Sequence, residues 1–275
     1  MKKIWILVFG AGLLACEDVV TIDVNQTVPT YVVEGLVTDQ YKAHFVRVSR
    51  SVDFYSTTRA ELVSGANVAV QDVTEGRTYT YSESNHPDSA GYYLSDEAFA
   101  GQVGHQYSLD VQVSDNQFTA VDKLYPVTAI DSLTYVVNDD ELAEPEVPGY
   151  YYEMLFYAHE PQETEDFYLF KFYRNDSLLL DGPDDIYFSN DDLLAEEING
   201  IPTAGFYKAG DTGTVEMYSI SNAGFIYYND LINLLQSDGG MFGSPPVNPR
   251  TNIEGGAMGF FQVSSVVAET ILIEE

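Results

Sequence analysis

Through most of this chain, apolar and polar positions alternate with a period of two, in runs too short for helices. The clearest run places Tyr107, Leu109, Val111 and Val113 on one side and Ser108, Asp110 and Gln112 on the other. Side chains two apart share a face, so this pattern predicts a strand with one buried and one wetted side. Similar short β-branched or aromatic runs fall at 31–37, 45–49, 66–70, 78–82, 91–94 and 118–121. Turn formers separate them, among them Asp39-Gln40, Thr74-Glu75-Gly76-Arg77 and Asp115-Asn116. With no amphipathic helix between them, these strands point to an antiparallel sandwich over residues 31–126.

A boundary is expected at Pro126-Val127-Thr128, leaving 127–275 as a second β-rich domain. Residues 138–149 are acidic, carry two prolines and read as a loop. Runs 150–158 and 167–173 are dense in aromatics, and the second is apolar on both faces, as a central strand requires. Asn175-Asp176 turns into Leu178-Leu179-Leu180, a second acidic loop covers 181–192, and 214–218 is a further strand. Phe225, Tyr228, Ile232 and Leu235 recur at spacings of three and four, with Ser221 placed to cap and Gly239-Gly240 to terminate. That predicts one amphipathic helix at about 222–237 whose stripe packs on the core. A Pro- and Gly-rich stretch follows, then strands at 260–263 and 270–273. The expected fold is mainly β: two β-sandwich-like domains, the second carrying one helix. No internal repeat is found.

The first residues follow a different pattern. Met1-Lys2-Lys3 is basic, and 4–14 is apolar apart from Gly10 and Gly12. A helix of that length rises only about 16 Å, against roughly 30 Å for a bilayer core. The segment therefore reads as a secretory signal. Its end, Leu13-Leu14-Ala15-Cys16, resembles the bacterial lipobox. The resemblance implies a signal peptide at 1–15, a diacylglycerol on Cys16, and a lipidated tether at 16–30. Glu17-Asp18 resembles the surface-export signal of Bacteroidota lipoproteins and implies an outer-membrane anchor facing the cell surface.

Composition narrows the function classes. A formal net charge of −31 repels phosphate backbones, so nucleic acid is excluded as a partner. At 45% apolar and 13% aromatic residues, the chain is far from a disordered acidic tail. Cys16 is the single cysteine, so no disulfide, thiolate metal site or cysteine nucleophile is available to the body. The single tryptophan, Trp5, lies in the signal, which lowers the expectation of a sugar-stacking module.

No Gly-x-Ser-x-Gly turn, phosphate-binding Gly-rich loop with Lys, or His-Glu-x-x-His is present. His44, His86, His105 and His159 are all more than four residues apart and read as packed or surface side chains. Two acidic clusters invite a calcium reading: Asp139, Asp140, Glu141 and Glu144, and the candidates Asp181, Asp184, Asp185, Asp191 and Asp192. Calcium takes six to eight oxygens, yet neither cluster has EF-hand spacing, and solvated loops are the expectation. Paired carboxylates of a glycosidase are expected by chance in so acidic a chain. Asp88-Ser89-Ala90, Asp131-Ser132-Leu133 and Asp176-Ser177-Leu178 resemble the Bacteroidota O-glycosylation acceptor. No catalytic residue, cofactor or enzyme activity is expected.

Several of these strings, taken in order, resemble the Bacteroidota lipoproteins grouped as domain of unknown function 4249 (DUF4249). They are Cys16-Glu17-Asp18, Val32-Val33-Glu34-Gly35-Leu36-Val37-Thr38-Asp39, Val48-Ser49-Arg50-Ser51, Ser64-Gly65-Ala66-Asn67-Val68, Ile130-Asp131-Ser132-Leu133 and Asn252-Ile253-Glu254-Gly255-Gly256-Ala257-Met258-Gly259-Phe260-Phe261. The first half, with Gly91-Tyr92-Tyr93-Leu94, also resembles the transthyretin-like sandwich, an immunoglobulin-like fold. The resemblance implies an accessory or docking partner of a TonB-dependent outer-membrane transporter. The alternatives are a surface lipoprotein capturing peptide or glycan, and a hydrolase with an unrecognised site.

Overall fold

A computed structural model describes residues 29–52, 58–85, 91–159, 161, 163–191, 197–237 and 247–275. The expected signal, Cys16, His86, Asp192 and Gly239-Gly240 lie outside the described residues. Within them the chain is mainly β, as the alternation predicts.

The first half supplies β1 (Tyr31–Thr38), β2 (Phe45–Arg50), β3 (Asn67–Asp72), β4 (Arg77–Glu83), β5 (Tyr92–Ser95), β6 (Gln106–Val113) and β7 (Asn116–Lys123). In β6, Tyr107, Leu109, Val111 and Val113 are all buried, as their spacing requires. They join Val33, Val46, Val68, Tyr93 and Phe118 in one core. His44 is part of this interior: its Nε2 lies 2.9 Å from the Phe99 carbonyl, and burial lowers its pKa to about 4. It is a neutral packing residue at physiological pH.

Two more strands complete this sheet from the far end of the chain: β15 (Ile253–Glu254) and β16 (Met258–Ser264). The order is β15-β7-β6-β3-β4-β5-β2-β1-β16, with β16 parallel to β1 and β15 antiparallel to β7. Both ends of the sheet are thus formed by one short stretch of chain, so the sheet curls into a nearly closed barrel. The segment expected as a C-terminal domain contributes these two strands to the N-terminal sheet. An edge strand with unpaired amides is a liability, and this return covers both edges.

Asp122 holds the seam. Its Oδ2 accepts a 2.9 Å hydrogen bond from the Val263 amide across the closure. Burial pushes its pKa up to about 6, with the amides of Val263 and Lys123 and the Ser221 hydroxyl opposing. A carboxyl with a raised folded-state pKa stabilises fully below its unfolded value and loses that contribution as pH rises through about 6. The shift corresponds to about 3 kcal/mol at most. Asp122→Asn should therefore be the more stable protein above pH ~7, by about 1–3 kcal/mol, and should flatten the stability profile between pH ~4 and ~6. Urea midpoints across that range check it; equal slopes for both proteins count against it.

The remainder comprises β8 (Ile130–Val137), α1 (Asp139–Ala143), β9 (Tyr152–His159), β10 (Phe167–Arg174), β11 (Ser177–Leu178), β12 (Tyr187–Asn190), β13 (Glu197–Pro202), β14 (Thr212–Ser219), α2 (Asn222–Leu235) and β17 (Val266–Leu272). Strands β13-β9-β8 form one sheet; β11-β10-β14-β17, with β12 also on β10, form another. Their facing sides share a core of Met154, Phe156, Phe170, Phe172, Val215 and Met217. Strand β10 is central: Tyr168, Phe170 and Phe172 join that core, while Phe167 and Leu169 pack on the other side with Phe225 and Tyr228 of α2.

Helix α2 starts where expected, the Ser221 hydroxyl accepting from the Gly224 amide at 3.2 Å. Leu235, at the end of the predicted stripe, is exposed. The expected loop at 138–149 contains a helical turn, because Asn138 Oδ1 accepts from the Asp140 and Glu141 amides and three acids occupy the first turn.

Candidate functional site

Beyond Arg174 the chain reverses at Asn175 and Asp176, both with positive φ, into β11. The segment after β11 closes on itself: Asp185 Oδ2 accepts from the Asp181 amide at 2.7 Å and the Gly182 amide at 2.9 Å. From the neighbouring sheet comes α1 with its trailing loop, where Glu141 Oε2 accepts the Glu146 amide at 3.2 Å. Between these two acidic segments and residues 204–206 lies an open cleft of about 370 Å³. Glu141, Glu146, Asp181 and Asp185 rim it, and Tyr150, Leu179 and Phe206 supply apolar wall.

Arg174 is the cation of the cleft. Its Nη1 donates to the Phe206 carbonyl at 2.7 Å and its guanidinium lies 4.7 Å from the Tyr150 ring centre. Lys208 lies 5.1 Å from the centre of the same ring. Among the described residues, none of the four rim carboxylates is in an ion pair. The cleft is therefore an anionic rim over an apolar wall, suited to a partner carrying positive charge and aliphatic or aromatic surface.

The two acidic clusters singled out in the sequence thus meet in space, through Glu141 on one side and Asp181 with Asp185 on the other. The other calcium candidates go elsewhere. Asp184 Oδ1 accepts from Gln236 Nε2 at 2.6 Å, tying the segment to the end of α2. Asp191 Oδ2 accepts from the Asp166 amide at 3.3 Å, at the opposite end of β12. Among the described residues no group of three or more His, Cys, Asp or Glu is placed to hold a metal ion.

His105 Nδ1 lies 2.8 Å from buried Asp72 Oδ2, away from the cleft. That contact, with the Glu75 amide and the Tyr107 hydroxyl, holds the Asp72 carboxyl below its ordinary range despite its burial, which acts the other way. Tyr150, Arg174 and Phe206 were not singled out from sequence. They sit on three separate elements, and nothing local marks them as neighbours.

No curated protein matches the chain. A solved structure described as "Chimeric titin Z1Z2 functionalized with a KLER exogenous peptide from decorin" aligns over 70% of this chain and 90% of its own, at 11% identity and a TM-score of 0.23. That likeness carries no argument. The family comparison does: across residues 17–270 the sequence matches the Domain of unknown function (DUF4249), and the chain belongs to that family.

Proposed function

We propose that this chain is a lipid-anchored outer-membrane lipoprotein, facing the cell surface, that works without catalysis as the docking partner of a TonB-dependent transporter. The acid-rimmed cleft is the contact face. The observation that supports this is four carboxylates with no ion pair among the described residues, on segments that also expose aliphatics: Val147 in the cleft wall is 54% exposed, and Leu142, Leu178 and Leu180, adjacent in sequence to cleft residues, are 51%, 42% and 49% exposed. Unpaired acids interleaved with exposed aliphatics fit a basic, apolar segment of a protein partner. Reading the halves as sandwich-like domains, the first transthyretin- or immunoglobulin-like, belongs with this proposal and rests on the β alternation.

Copurification from mild detergent tests it. A TonB-dependent barrel should be retained, and retention should fall with rising salt. Glu146→Lys with Asp181→Lys should cut it at least about fivefold, since charge reversal at an interface costs on the order of 1 kcal/mol or more. Among the described residues only the backbone amides of these two positions are seen in hydrogen bonds, not their side chains. A solitary lipoprotein, or a barrel retained equally by the double variant, overturns the proposal.

A second reading, surface capture of a peptide or glycan, is favoured by a different feature. A concave groove lined by tyrosines lies between α2 and the outer face of the barrel.

A further inference from the structure

The groove has a chemical character at odds with the rest of the molecule. It encloses about 260 Å³ between α2 and strands β1, β2 and β16. Its walls are aromatic: Tyr92 from the barrel, and Tyr227 stacked on Phe260 with ring centres 5.0 Å apart. Its charged groups are Lys171, Arg47 and Glu34. In a chain with 12 basic against 43 acidic residues, a cavity with more cations than anions is unusual.

Among the described residues Lys171 makes no direct ion pair with the acid opposite it in the sheet. Its cross-strand neighbour on β14 is Glu216. Glu216 Oε2 instead accepts from the Tyr173 hydroxyl at 2.8 Å and the Tyr218 hydroxyl at 2.6 Å. Among the described residues Lys171 is in no ion pair; its ammonium rests 4.5 Å from the Tyr218 ring centre. Burial lowers its pKa, with Glu216 opposing and Lys42 adding to the fall. Arg47 is half committed. Its Nη1 holds Glu34 at 2.8 Å, while its buried Nε has no partner. A buried donor is rarely left unpaired, so the Arg47 Nε, beside a Lys171 ammonium outside any ion pair on the same cavity, points to an anion that completes them.

We propose that this groove binds a small aromatic carboxylate, its ring against Tyr227, Phe260 and Tyr92 and its carboxylate on the Lys171 ammonium. The proposal rests on the capture reading for its site and replaces peptide or glycan with a different ligand class. It is independent of the acid-rimmed cleft, which would repel the same ligand.

Isothermal titration of the full chain in a non-ionic detergent, with detergent alone as blank, tests it. The probes are indole-3-acetate and its uncharged analogue indole-3-acetamide, with an N-acetylated, C-terminally amidated tripeptide of uncharged residues and maltotriose as neutral controls. The acid should bind at least about tenfold more tightly than the amide, the size expected of a charge-assisted pair. Lys171→Met should remove that preference while the thermal midpoint stays within a few degrees. Lys171→Arg, which keeps the charge, should retain most of it. Equal binding of acid and amide, no heat from the acid at millimolar concentration, or an unchanged preference in Lys171→Met overturns the proposal. Binding of the tripeptide or maltotriose without the acid overturns the ligand class but leaves capture standing. Silence from all four probes removes both.

Discussion

Alanine at Gly259 is expected to remove a large share of this chain's stability. The residue lies in β16, opposite Val33 of β1, with φ +99°. An added Cβ would sit 2.1 Å from the Val33 carbonyl oxygen and 2.8 Å from its carbon. Those are backbone atoms, and moving them means opening the parallel ladder that closes the barrel. The positive φ alone costs a non-glycine residue about 1–3 kcal/mol. With the clash, the loss should exceed about 4 kcal/mol, at the extreme of single substitutions and a large share of a typical 5–15 kcal/mol stability. Gly256 separates the two causes, because its φ is +88° but its Cβ would meet nothing within 4 Å. Gly256→Ala should cost only the backbone strain, about 1–3 kcal/mol. Urea unfolding followed by far-ultraviolet circular dichroism reads both. A Gly259→Ala protein with the parent's midpoint would show that the β1–β16 contact is not as close as described.

That seam explains what the family-like strings are for. The string at 32–39 is β1 and its turn, and the string at 252–261 is β15 and β16, its partner. Gly35 sits where a Cβ would meet the Phe261 ring at 2.8 Å, so the glycine in one string makes room for the phenylalanine in the other. Asp39 then accepts from the Ser265 hydroxyl at 2.6 Å and the Val266 amide at 3.0 Å, across 226 and 227 positions of sequence. Ser64-Gly65-Ala66 meets the Tyr93 hydroxyl, which takes the Ala66 amide at 2.9 Å and donates to the Val63 carbonyl at 2.8 Å. In each case the residues serve closure and turn geometry rather than chemistry.

What could be read from sequence was local. Alternation located β6, two apolar faces marked β10 as central, and a 3.6 period with a serine cap located α2. Each signal is written within one or two turns or strands of chain. The return of β15 and β16 to the first sheet had no such signal. A parallel pairing between strands more than two hundred residues apart depends on shape, on Gly259 and Gly35, and not on periodicity. The candidate site divides the same way. Its carboxylates were visible as acidic loops, whereas Arg174 and Tyr150 looked like any strand cation and any aromatic until the sheets set them side by side.

The second large effect would test the proposed lipid anchor. With Cys16 replaced by serine, the product should leave the membrane fraction and carry no palmitate. Each buried methylene contributes roughly 0.8 kcal/mol, so one acyl chain holds a protein only reversibly and two or three hold it firmly. Serine cannot form the thioether through which the proposed diacylglycerol would be attached, so all chains would be lost together. The uncleaved leader is no substitute, since its apolar run rises about 16 Å as a helix against a core of roughly 30 Å. Among the described residues no helix is long and apolar enough to cross a membrane. The fraction pelleting with membranes should therefore fall more than about tenfold, well within the energy of a single lost chain. Carbonate washing and metabolic palmitate labelling of both proteins measure it. A serine variant that still pellets, from a parent that never took up label, would mean that something other than acylation holds this body at the envelope.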